Sequence, residues 1–546
     1  MARSGRRGTR TRDTGRARGV PGRVRMSNDG EQRRVKQVRS GRLGARPGAV
    51  LPSTHAPAIV NASYAAADEL DALLVMVPCP VPRGALRNLP ESARWRELEA
   101  RAPPRAGTVR TTVLANHRHT LAVLGYLGRD ASAFERLSLA GRMLKEAAAR
   151  NPEVVGLTTA GAAGAARPAL ESLLAAALAH AFPLPSFRAA RDERPIRRIV
   201  MLGDERIDTR YVAAVARGTN LARWLTALPP NILDARGYRS AITQLARAHH
   251  LTVRWLDERA LRRLGANAFL AVAAGNAEGG AGIAHLSYRP ARARRAVHPD
   301  VALIGKGILF DTGGVNLKTH RSMLDMHTDM AGSAVALATL GALAELRAPL
   351  AADAWLAITE NRIGPQAYRP QEVVRAANGV TIQVIHTDAE GRMVLADTLA
   401  LAARTRPRLM LDFATLTGAC VYSLTERMSG AFTNRPELAP RLFEAGRASG
   451  ERVWNFPYEA DYDAELESKV ADVVQCALDG KGDHILAARF LGRFVPAATP
   501  WAHIDLSAAT RSGGLGHVTS DVTGFGVRFA LELLLKQDTL AALGDG

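Results

Sequence analysis

Seven charged side chains crowd into two short stretches of this chain: Lys306, Asp311, Lys318 and Asp329 in the first, and Asp388, Glu390 and Arg392 in the second. Four carboxylates drawn into one crevice repel each other, and one or more must take up a proton unless a cation neutralises them. Divalent metals supply that cation. Oxygen ligands with one amine nitrogen suit Zn2+ or Mn2+, with Mg2+ as an alternative. Asp388 and Glu390 stand two apart, which on an extended segment puts both on one side, within reach of one pair of metals. Each residue alone has a plainer reading. A DxE pair usually marks a solvated loop. A lysine ahead of glycines serves phosphates, but the Gly-x4-Gly-Lys-Ser/Thr spacing is absent. Asp329 is placed to cap the helix expected after it. Taken together, the set favours a metal centre.

Ligands in open α/β sheets bind beyond the carboxyl ends of the strands, so these residues need strands to deliver them. Residues 301–304 form a short apolar run ahead of the loop 305–314. Residues 381–385 are a β-branched run ahead of 386–392. Residues 409–413 precede a third polar loop, 414–418. Residues 331–346 and 392–404 have helical apolar spacing, and 354–358 is strand-like. The alternation predicts an α/β fold with a mostly parallel or mixed sheet covered by helices. At 546 residues the chain exceeds one ordinary core. Two domains are expected: a smaller N-terminal α/β domain over 57–190, and a larger C-terminal domain over 191–546 that carries these charged residues. In the first, 72–77 suits a strand, and 133–150 and 168–182 suit helices, with Pro168 in a first turn. Residues 191–198 read as the linker leading into 199–202. His117, His119 and His180 are scattered and read as packing or surface residues.

At these residues the chain resembles the leucyl aminopeptidases, also called cytosol aminopeptidases. The family signature Asn-Thr-Asp-Ala-Glu-Gly-Arg stands here as His386-Thr-Asp-Ala-Glu-Gly-Arg392. The spacing Lys306-x4-Asp311-x6-Lys318-x10-Asp329 also matches, as do Glu360-Asn361, Arg369-Pro370, Ala414-Thr-Leu-Thr-Gly418, Trp501-Ala-His503 and Thr523-Gly-Phe-Gly-Val-Arg528. The resemblance covers roughly residues 200–535 and implies a two-metal aminopeptidase. Asp311 and Glu390 would bridge the metals. Lys306 and Asp329 would complete the tightly bound one, and Asp388 the exchangeable one. Lys318 would polarise the scissile carbonyl, and Arg392 would hold a bicarbonate as proton acceptor. Met326, Thr415, Leu416 and Gly418 would line the pocket for a Leu-like first side chain. The resemblance further implies a cytoplasmic homohexamer acting on peptides with a free N-terminus. Three departures bear on substrate preference: His386 for Asn, Met330-Ala331-Gly332-Ser333 for Met-Gly-Gly-Ala, and the loop 362–366.

Charge divides the chain unevenly. The first fifty residues hold 15 Arg or Lys against 3 Asp or Glu, so most of the net +20 belongs to this end. Residues 1–56 read as a basic tail with little to bury. It lacks aromatics for base stacking, so any nucleic-acid binding through residues 1–50 would be phosphate-driven and salt-sensitive. That supports an alternative function, a nucleic-acid-binding regulator on a peptidase fold. The three departures support another, a narrow-specificity dipeptidase. Cys79, Cys420 and Cys476 are far apart and show no CxxC spacing, which fits a reducing cytosol. No uncharged apolar run reaches 18 residues, so no membrane span is expected. No apolar signal region opens the chain, and the glycines and prolines there argue against an amphipathic targeting helix.

Overall fold

The computed structural model describes residues 50–52, 56–101, 103–161, 164–188, 196–276, 279–291 and 298–543, all within one compact unit. The basic tail lies outside these residues up to position 49. Its expected limit at residue 56 is too late. Val50 is buried in the core beside Leu225 and Leu228, and its carbonyl accepts the Trp224 indole N–H at 2.8 Å.

The strands in chain order begin with β1 (Ala58–Ala62), β2 (Ala72–Cys79), β3 (Val109–Val113), β4 (Leu121–Gly128), β5 (Val154–Thr159) and β6 (Arg198–Leu202). These build one sheet in the order β1-β6-β5-β2-β4-β3, parallel except for β3 against β4. Helices Ala133–Ala148 and Ala166–His180 cover one face, and Trp95 of Ser92–Arg101 packs on the other. Helix Ala133–Ala148 starts on a capping box: the Ser132 hydroxyl accepts from Glu135 N, and the Glu135 carboxylate accepts from Ser132 N. The expected boundary at residue 190 needs correction. Residues 198–202 pair along β1 and β5, so the first sheet closes only after Leu202. Ile199 and Met201 are buried on one face of that sheet and Val200 and Leu202 on the other, and this placement no local pattern reveals.

The remaining strands are β7 (Thr252–Asp257), β8 (Gly282–Tyr288), β9 (Val301–Asp311), β10 (Ala352–Asn361), β11 (Val373–Arg375), β12 (Thr381–Gln383), β13 (Leu409–Ala414), β14 (Ser429–Thr433), β15 (Val453–Asn455), β16 (Val473–Val474) and β17 (Trp501–Asp505). The large sheet runs β15-β14-β17-β13-β9-β10-β8-β7. Its four central strands are parallel, and antiparallel pairs join them to both flanks. Alternate residues of β9 enter different cores, Val301 and Leu303 on one face, Ala302 and Ile304 on the other. Both faces are therefore covered, which is why these strands read as unbroken apolar runs. Helix Ala331–Leu346 covers the first face and helix Glu390–Ala403 the second. The segment 320–346 is long and apolar enough to cross a membrane by composition, but 83% of its most apolar window is buried inside the protein. Its main part, Ala331–Leu346, is a core helix, apolar all round because protein surrounds it. Helix Thr209–Ala227 ties the two sheets together, since Asn220 Nδ2 donates to the Leu178 carbonyl at 3.2 Å and Gly218 lies against Ala338 and Val527.

Two sequence expectations change here. Residues 305–311 are strand, not loop: β9 continues through Gly305, Lys306 and Gly307. Those glycines serve close packing. A Cβ on Gly305 would meet Ser333 Cα at 2.5 Å, and one on Gly307 the Ala357 carbonyl at 2.6 Å. The strand at 381–383 belongs to a separate three-stranded sheet, β11-β12-β16. The loop after it therefore reaches the centre from beside the large sheet and not from the end of one of its strands.

Candidate metal centre

β9 delivers both Lys306 and Asp311, and the turn that follows returns Lys318. Gly313 makes that turn at φ +85°. A side chain there would also strike the Asn316 carbonyl and the Asp388 carboxylate, so only glycine fits. Asp329 stands at the entry to helix Ala331–Leu346, but it does not cap it; the N-cap is Met330. Glu390 opens helix Glu390–Ala403, so Asp388 and Glu390 are not on an extended segment. A turn at 387–388 and the first helical residue bring them to the same centre instead.

Carboxylate oxygens of Asp311, Asp329 and Glu390 all lie within 4.8 Å of one another. Lys306 Nζ donates to Asp329 Oδ1, Glu390 Oε1 and the Thr415 carbonyl at 2.8, 2.9 and 3.0 Å. Three acceptors meet its three protons. Lys318 Nζ sits between Asp311 Oδ2 at 2.9 Å and Asp388 Oδ1 at 2.5 Å. Lys306, Asp311, Asp329 and Glu390 are buried, while the Asp388 side chain keeps 29% of its exposure. Gly391 lets Lys306 through: a Cβ there would lie 2.6 Å from both Cε and Nζ.

Burial, and next the Asp311 charge, raise the Asp388 and Glu390 carboxyls above the ordinary carboxylate range. Asp329 is raised the same way although Lys306 opposes it. Carboxylates that resist ionising together are what a cation would neutralise. Asp329 Oδ2 is also buried with no hydrogen-bond partner. A buried carboxylate oxygen without a donor is costly, and a metal at that oxygen removes the cost. The donor set of four carboxylates and one amine therefore fits divalent cations.

Other residues set this geometry. Asn361, at the end of β10, donates through Nδ2 to Asp311 Oδ1 at 2.8 Å, to the Thr387 carbonyl at 3.0 Å and to Glu390 Oε2 at 3.4 Å. Thr387 donates to the Gly313 carbonyl and accepts from Asn316 N, at 2.7 and 2.8 Å, which stitches the two ligand-bearing turns together. The Thr415 hydroxyl donates to Asp329 Oδ1 at 2.7 Å. Thr415 thus holds both Lys306 and Asp329 in place. Met326 and Leu416 are half-buried beside the same region, and Gly418 is exposed at the start of helix Gly418–Leu424. Sequence reading noted the Glu360-Asn361 pair but assigned Asn361 no role. His386 is exposed, and its Nδ1 accepts the Asp388 N–H at 3.3 Å.

Arg392 departs from expectation. It is buried, and its Nη2 donates to both oxygens of Asp483, at 2.9 and 2.8 Å. The seat expected for bicarbonate is filled by a side chain, so the residues present do not fit that ion. His117 and His119 lie in the β3–β4 turn and His180 ends a helix, all three exposed, in keeping with surface roles.

The description "Cytosol aminopeptidase family, catalytic domain" matches residues 220–531. A probable cytosol aminopeptidase of Chlorobaculum tepidum is 38% identical over 58% of this chain and 62% of its own length. This chain therefore spans less than two thirds of that relative. A second, from a Polaromonas species, is 33% identical over 87% of this chain and 93% of its own length. Among solved structures, a mutant of tomato leucine aminopeptidase gives a TM-score of 0.77 at 26% identity, covering 89% of this chain and 98% of that one. The bottromycin maturation enzyme BotP in complex with Mn gives 0.74 at 29% identity, covering 87% and 100%.

Proposed function

The chain belongs to the cytosol aminopeptidase family, and from that premise we propose that it is a metal-dependent aminopeptidase. It releases Leu-like, apolar residues from the free N-terminus of peptides. The observation that carries this reading is the cluster of Asp311, Asp329 and Glu390 oxygens within 4.8 Å, threaded by Lys306 and flanked by Lys318 and Asp388. Lys306, Asp311, Asp329, Asp388 and Glu390 are the residues that would hold the metals. When bound, two divalent ions, Mn2+ or Zn2+, would supply Lewis acidity and make a water nucleophilic at neutral pH. The Mn in the BotP complex supports the choice of a divalent ion.

The protein's own groups do the rest. Lys318 is held between Asp311 and Asp388. From there its ammonium would donate to the scissile carbonyl oxygen and stabilise the oxyanion. Thr415 and Asn361 keep Asp329, Asp311 and Glu390 from rearranging as charge develops. Met326, Leu416, Thr415 and Gly418 shape the pocket for the first side chain. We place the enzyme in the cytoplasm, as the relatives' names suggest for them, and as a homohexamer. We assign the almost fully exposed Tyr422 and Leu478 to the contacts between copies.

The test is metal analysis with a panel of peptides, on the wild type and on Asp388→Ala. The substitution is expected to abolish hydrolysis and lower metal content. No hydrolysis by wild type of any N-terminally free peptide, with Mn2+ or Zn2+ supplied, would overturn the reading. No observation favours the nucleic-acid or dipeptidase alternatives; the basic tail lies outside the described residues.

A further inference from the structure

Arg392 stands on the first turn of helix Glu390–Ala403, two residues past the ligand Glu390, and is 2% exposed. A guanidinium presents planar anions with two open edges, Nε with Nη2 and Nη1 with Nη2, because the third is covered by its own Cδ. Both open edges use Nη2. Here Nη2 is held by the two Asp483 oxygens at 2.9 and 2.8 Å, and Nη1 by the Gln475 carbonyl at 3.3 Å. Nε alone is left without a partner. A dissolved anion therefore finds no two-pronged seat on Arg392.

The seat is built into the fold. Asp483 is the first residue of helix Asp483–Gly492, where the helix dipole favours a carboxylate. The preceding Gly482 takes φ +60° to start that helix. Gln475 links the pair to the ligand turn: its Oε1 accepts from Ile385 N and His386 N, both at 3.1 Å, and its Nε2 donates to the Ala389 carbonyl at 2.9 Å. A second anion beside Asp483 would put two negative charges against one guanidinium, and their repulsion costs free energy.

We propose that Asp483 replaces dissolved bicarbonate in this protein: the chain seats its own carboxylate on Arg392 and recruits no anion from solution. This rests on reading the centre as a two-metal peptidase site, with Asp483 as a positioning residue for it. The experiment uses the full-length Zn2+-loaded protein in carbon-dioxide-free buffer and titrates sodium bicarbonate by calorimetry and by peptide hydrolysis. Wild type is expected to show no saturable bicarbonate heat and the same rate with or without it. Asp483→Ala opens the seat. Its rate should fall roughly 10–100-fold, the usual loss for a group behind the ligands, and recover with bicarbonate, with saturable heat appearing. Asp483→Asn keeps the shape but not the charge, so its rate should fall without recovery. Wild type that binds bicarbonate saturably, or slows when it is removed, overturns the proposal. So does an Asp483→Ala protein with full zinc that neither binds bicarbonate nor responds to it. The heat reads the seat even if no peptide is cleaved, so failure of the peptidase reading is seen separately.

Discussion

Protons and cations compete for the same few atoms at this centre. Lys306 holds three protons on three acceptors, and burial with the Asp311 charge raises Asp388 and Glu390, and Asp329 against the pull of Lys306. A carboxyl raised in the folded state contributes stability below the ordinary carboxylate pKa, and that contribution is lost as pH rises through the raised value. Metal-free protein should therefore melt at lower temperature as pH climbs above the ordinary carboxylate range, and saturating Mn2+ or Zn2+ should flatten that slope. Because Lys306 must lose a proton to bind a metal, uptake should release protons and tighten with pH. Calorimetry in two buffers of different ionisation enthalpy measures this; uptake without proton release would contradict the ligand set. Gly391→Ala is a sharper probe. Its Cβ would fall 2.6 Å from Lys306 Nζ, so the purified variant should keep its fold by circular dichroism and bind less metal than the wild type.

Elements decide whether those atoms meet. Helix Glu390–Ala403 carries Glu390 and Arg392 and is pinned by Asp397, which accepts from Phe269 N and Ala377 N at 2.8 and 2.7 Å. Burial pushes that carboxyl up to about 7, so it is held for its hydrogen bonds more than for its charge. Asp397→Ala leaves the buried Phe269 N and the half-buried Ala377 N unpartnered and should cost roughly 1–3 kcal/mol for the first alone, read by urea unfolding. The helices at 133–148, 166–180 and 331–346 were legible within two residues or so, because apolar spacing and capping act locally. The glycines at 305 and 307 were not. A glycine chosen for a turn and one chosen for close backbone approach look the same until the neighbouring helix is in place.

For the whole molecule, the two sheets and the helix Thr209–Ala227 between them form one unit, and Val50 is part of it. Burying a valine contributes about 1.5–3 kcal/mol, and a carboxylate in its place adds desolvation. Val50→Asp should lower the melting temperature clearly while metal content stays unchanged. If the protein is a hexamer, light scattering should give six times the 58.4 kDa chain mass, and Tyr422→Glu with Leu478→Glu should lower it. A monomer at all concentrations would remove that part of the proposal.

The sequence by itself singled out the candidate ligands. Four carboxylates and a lysine at that spacing need a cation wherever they converge, and the signature around Asp388 and Glu390 names the family through side-chain chemistry alone. It also determined the layered α/β class, since that follows from local periodicity. Only the tertiary structure decided which groups hold the ligands. Asn361, Thr387 and Thr415 reach them from strand ends and turns far away in the chain. Only the tertiary structure set the sheet boundary past Leu202, because strand pairing is non-local. It alone filled the Arg392 seat, for Asp483 lies 91 residues on and nothing near either residue announces the other.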